Sequence, residues 1–135
     1  MEIDKFIGVY DGVFNIERVA SLVKYIGDKV EFKDAQVIGS NNKTDVVDKK
    51  MRNTQTYSFN PKSLTSIHWA QYLRHIITKI FSIYNGNHHT CAEKVQTIEV
   101  LKYEKGGFYK MHSDHHAKMP RTLSVIIFLN NDYEG

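Results

Sequence analysis

Hydrophobic positions recur at two different spacings along the chain, and the change from one to the other falls near Gly86. Behind Asn15, whose short polar side chain suits a helix N-cap, Ile16, Val19, Ala20, Val23 and Ile26 follow at helical spacing, and Gly27 supplies a stop. This predicts a first helix. A second is predicted behind Ser63, where Ile67, Trp69, Ala70, Leu73, Ile76, Ile77, Ile80, Phe81 and Tyr84 form an apolar stripe wide enough to pack on a sheet, closed by Asn85-Gly86. Between them, Asn53 to Phe59 reads as a strand that Pro61 ends, and residues 39–50 read as a polar, turn-rich surface loop. Phe6 to Phe14 fits either a short strand or an extended lead-in. After Gly86, Val95–Tyr103, Phe108–His112 and Leu123–Leu129 are strand-like runs separated by Gly-Gly or Pro-containing turns. Two helices therefore precede a β-rich half, an α+β arrangement with no internal repeat.

Composition narrows the class without identifying it. A chain of 135 residues is expected to form one domain, 1–135, with room for a real core. Its 18 basic and 15 acidic residues are scattered without a like-charge run, so a nucleic-acid partner is not indicated. The single Cys91 excludes an internal disulfide and suits a reducing compartment. No apolar run reaches membrane-spanning length, and the start Met-Glu-Ile-Asp-Lys lacks the order of a signal peptide. The expectation is a cytoplasmic protein with no membrane partner.

The candidate chemistry lies in Tyr103-Glu-Lys-Gly-Gly-Phe-Tyr-Lys-Met-His112-Ser-Asp114-His-His. Gly106-Gly107 permits a tight turn into a strand, and on a strand His112 and Asp114 leave the same face because they are two residues apart. One imidazole and one carboxylate there make two of the three legs of a 2-His-1-carboxylate site for non-haem Fe(II). The third leg is not visible. His115 and His116 read as a solvated turn, His88 and His89 as surface loop, and His68 and His75 as rim residues of the second helix. Cys91 reads as a half-buried structural thiol. Taken singly, Arg52 reads as a strand-edge charge, and Tyr103, Phe108, Tyr109 and Tyr133 as strand fillers.

From about Val95 to Gly135 the chain resembles the Fe(II)- and 2-oxoglutarate-dependent dioxygenases, in particular their prolyl 4-hydroxylase-like branch. The ordered string Tyr103, Gly106, Tyr109, His112, Asp114, Arg121, Ser124 and Phe128-Leu-Asn-Asn-Asp-Tyr-Glu-Gly135 carries the resemblance, and the helices and Arg52-Asn-Thr54 are similar more loosely. It implies N-terminal helices packed on a double-stranded β-helix, a cupin-like jelly roll. It further implies His112 and Asp114 as iron ligands, Tyr103 and Ser124 as contacts to 2-oxoglutarate, and Arg52, Tyr109 and Arg121 as lining of a substrate groove.

The family pattern continues to a distal histidine and to a Lys or Arg that pairs with 2-oxoglutarate, and neither has a counterpart here. The expected jelly roll is therefore incomplete at its C-terminus, and its open sheet edges leave self-association or a partner available. By resemblance, the expected function is an oxidoreductase using Fe(II), O2 and 2-oxoglutarate, with ascorbate as a further cofactor. It would hydroxylate a peptidyl proline or similar side chain of a peptide or small-molecule substrate, releasing succinate and CO2 once the missing strands are supplied. The alternative is an inactive dioxygenase remnant acting as a binding or assembly module. Dioxygenase chemistry on nucleic acid is a third, weaker option.

Overall fold

The computed structural model describes residues 3–38, 46–115 and 120–131. A 3-10 turn, Ile3–Phe6, opens it, and irregular backbone leads to the first helix, α1 (Ile16–Lys29). Asn15 caps that helix as predicted, its side chain accepting from the Arg18 backbone N–H at 3.0 Å. Gly27 does not stop it, since one glycine inside a helix costs only about 1 kcal/mol. The second helix, α2 (Leu64–His88), starts behind Ser63, whose hydroxyl accepts from Ser66 N–H. It runs through Asn85-Gly86 and ends at His89, which adopts the left-handed conformation with φ 51°.

Five short strands complete the described fold: β1 (Lys33–Asp34), β2 (Arg52–Asn53), β3 (Gln55–Ser58), β4 (Glu99–Lys102) and β5 (Phe108–Tyr109). They form a three-stranded antiparallel sheet in the order β1-β3-β4 and a two-stranded ribbon of β2 with β5. The predicted strand from Asn53 to Phe59 is thus divided at Thr54. Opposite Gln55 stands Lys102 and opposite Asn53 stands Phe108, so Tyr103 to Gly107 loop out opposite that one buried threonine. Thr54 Oγ1 donates to the Lys102 carbonyl at 2.7 Å, and its own carbonyl accepts from Ala35 N–H.

Both glycines of the loop are required there. Gly106 has φ +77°, and a Cβ on Gly107 would lie 2.9 Å from the Glu104 carbonyl and 3.0 Å from that of Asn53.

Leu22 and Ile26 from α1, Trp69 and Leu73 from α2, and Val100 from β4 form the buried cluster that joins the elements. Beside it Ser66, fully buried, accepts from Asn60 N–H and shares a hydrogen bond with the Tyr57 hydroxyl, which contacts that of Tyr25. Burial and the Tyr57 contact raise the Tyr25 pKa.

The expected jelly roll is not present, whole or incomplete: among the described residues neither antiparallel sheet closes into a barrel. The predicted strand Leu123–Leu129 shows why. It alternates at its far end, with Ile127 and Leu129 packed on the core and Ile126 and Phe128 exposed, though Val125 is exposed too, and it joins no ladder among the described residues. A period of two fixes which face is buried, not whether a neighbour supplies hydrogen bonds. Of the predicted loop 39–50, residues 39–45 lie outside the described residues, while Val46 makes an isolated bridge to Val37. No helix among the described residues is long and apolar enough to cross a membrane.

Candidate functional site

The β2–β5 ribbon and the chain just beyond it gather the residues singled out in the sequence. Arg52 and Tyr109 are direct cross-strand partners, and the guanidinium carbon lies 4.6 Å from the ring centre. His112 stacks on the same tyrosine, centroids 3.5 Å apart and planes 15° from parallel. Its Nε2 lies 3.2 Å from Asp114 Oδ1, and its Nδ1 lies 2.8 Å from the Lys110 carbonyl. Ser124 closes the group by donating its hydroxyl to Asp114 Oδ2. Tyr103 and Arg121 are near enough for their charges to act on Tyr109, and Arg121 acts on Asp114 as well. Five of the seven, Arg52, Tyr109, His112, Asp114 and Ser124, are therefore joined by direct contacts.

The electrostatics of the group follow from these contacts. The Ser124 hydrogen bond holds the Asp114 carboxyl below the usual carboxylate range, helped by the charges of His112 and Arg121 and opposed by partial burial. Burial raises the Tyr109 phenol, against the pull of Arg52. Arg52 is only partly satisfied: Nη1 donates to the Gln36 carbonyl at 3.1 Å, while Nε is buried without a hydrogen-bond partner. The Arg121 charge thus acts on a carboxylate that His112 and Ser124 already engage.

This geometry does not make the iron centre that the resemblance implied. Among the described residues no group of three His, Cys, Asp or Glu side chains would hold a metal ion. Both ring nitrogens of His112 contact oxygens of the chain, and both Asp114 oxygens have partners, so the two candidate ligands bind each other. Without that centre, Fe(II), 2-oxoglutarate and ascorbate lose the anchor on which all three expectations rested.

Other expectations change as well. Cys91 is exposed, not half-buried. His88 belongs to α2 and packs on Tyr84 at 4.2 Å. His68 and His75 are exposed on α2, as expected. Tyr103 and Phe108 are exposed where core packing was expected, because Tyr103 lies in the loop beyond β4 and the two-stranded ribbon buries neither residue of β5. His116, Tyr133 and the end of the resemblance string lie outside the described residues.

A scan against protein-family models, a search of curated proteins and a search of solved structures each return no match. With open sheets and no three-ligand group among the described residues, the prolyl 4-hydroxylase-like reading is overturned. The oxidoreductase and dioxygenase assignments go with it, as does that of an inactive remnant of such an enzyme. What the structure supports is a small α+β domain with open sheets.

Sequence reasoning missed Arg74, whose Nη1 crosses to the Val95 carbonyl at 2.8 Å. The signal was available: Arg74 follows Ala70 by four residues and precedes Ile77 by three, a charge inside the apolar phase of α2.

Proposed function

We propose that the chain is a single cytoplasmic recognition domain that binds an extended, acidic segment of a partner protein over the Arg52–Tyr109–His112 surface. One observation carries the reading: Arg52 and His112 both lie against the Tyr109 ring, Arg121 acts on Tyr109 and Asp114, and both Asp114 oxygens already have partners. Guanidinium forks match carboxylates in a bidentate fashion. Tyr109 and His112 add flat surface at low conformational cost. The neighbouring ribbon has two strands only among the described residues, so its edges offer backbone groups to a third, extended strand. An exposed lone cysteine fits a reducing compartment.

The experiment is fluorescence anisotropy of the full chain with a labelled Glu-rich nonapeptide and its Gln-for-Glu counterpart. The acidic peptide is expected to bind more tightly, to weaken as salt rises, and to lose about tenfold affinity with Arg52→Gln or Arg121→Gln. Equal affinity for the two peptides would overturn the reading, as would indifference to both substitutions.

A further inference from the structure

A second site lies on α2, and none of the residues lining it belongs to the Arg52–Tyr109 cluster. Two adjoining hollows, of about 390 and 350 Å³, run between the outer flank of the helix and the returning stretch 93–99. Both are open to solvent along one side. Gln71 and Arg74 line both, so they form one groove with Arg74 at its middle. Arg74 ties one wall to the other, its Nη1 donating to Val95 O, and outside the groove Asn85 anchors the chain leading to it by bonding the Ala92 N–H and carbonyl.

The two ends differ in chemistry. Lys94 joins Arg74 in the first hollow against the single carboxylate of Glu93, with His75 and Thr78 beside them, so that end is cationic. The second hollow mixes five apolar residues, Ile67, Ala70 and Ile98 among them, with Ser, Asn, Gln and Thr side chains, and its one carboxylate, Glu99, offsets Arg74. That end is mixed in polarity and close to neutral, with an apolar strip at Ile67, Ala70 and Ile98.

We propose that this groove binds a small amphipathic monoanion, an aryl or short alkyl carboxylate, with its headgroup at Arg74 and Lys94 and its apolar body over Ile67, Ala70 and Ile98. One Nη of Arg74 is held by Val95, which orients the guanidinium and leaves its other donors for a carboxylate. Orienting the fork in advance lowers the entropic cost of binding.

The test is titration of the ¹⁵N-labelled full chain with 2-naphthoate, and with 2-naphthalenemethanol as its uncharged counterpart. Saturable shifts are expected at Gln71, Val95, Gln96 and the Arg74 side chain, with Arg52 and Tyr109 unmoved and the alcohol binding about tenfold more weakly. Lys94→Gln leaves the Arg74–Val95 bond in place and is expected to weaken binding several-fold. Arg74→Gln removes the central donor and is expected to weaken it about tenfold or more. Circular dichroism of each variant checks that the fold persists. Equal binding of acid and alcohol, shifts centred on Arg52 and Tyr109, or no saturation would overturn the proposal. An unchanged affinity in Lys94→Gln would remove the headgroup assignment.

Discussion

Asp114 shows how far a single side chain can be read in advance. Spacing on a strand brings it to His112, and the contact forms even though the regular strand stops at Tyr109. The use of that contact was not legible, because alternation reports a shared face and not which partner an oxygen takes. Its folded pKa is depressed, so the stabilisation it provides is present above the ordinary carboxylate range and is lost as pH falls through the lower folded value. Ser124→Ala removes the largest cause of that depression. The Asp114 pKa is then expected to rise toward the ordinary value in a carboxyl NMR titration, and the loss of stability on acidification to shrink. Partial exposure of the group limits the effect to about 1 kcal/mol or less. Ser66 is the opposite case, being fully buried and bonded to Asn60 and Tyr57. Ser66→Ala leaves those groups short of a partner and is expected to cost about 1–3 kcal/mol, measured by urea unfolding.

Helices were more legible than strands, because a helix carries its hydrogen bonds within itself whereas a strand needs a neighbour from elsewhere in the chain. Asn15 and Ser63 were found from side-chain chemistry, and both cap as expected. The far end of α2 was misplaced because Asn85, chosen as a stop, uses its side chain to hold Thr90 and Ala92 while its backbone stays helical. The helix is closed instead by His89 at φ 51°, a conformation that a Cβ disfavours. His89→Gly is expected to stabilise the protein by up to about 1 kcal/mol, read as a raised urea midpoint at unchanged slope. No change or a loss would mean that the imidazole does something there beyond capping. The break at Thr54 was invisible for a related reason: only the looping out of Tyr103 to Gly107 on the opposite strand creates it.

At the scale of the whole molecule, few fully buried side chains join the two helices to the sheet. The buried cluster takes only Leu22 and Ile26 from α1, Trp69 and Leu73 from α2, and Val100 from β4, while Ile126 is 77 % and Phe128 68 % exposed. A small domain that leaves large apolar groups outside has little reserve against losing one within. Leu22, 1 % exposed, is the member of the cluster most fully shut from water. Leu22→Ala deletes volume where helix, helix and sheet meet, and is expected to cost about 3 kcal/mol. Ile126→Ala removes a similar volume from an already wetted surface and is expected to change stability by less than about 0.5 kcal/mol. Urea unfolding of the two variants separates them: a large loss for Leu22 alone places the stabilising core between the helices and β4. Comparable losses would mean that the exposed face of 123–129 is covered in solution, since only a buried isoleucine can cost as much as a buried leucine.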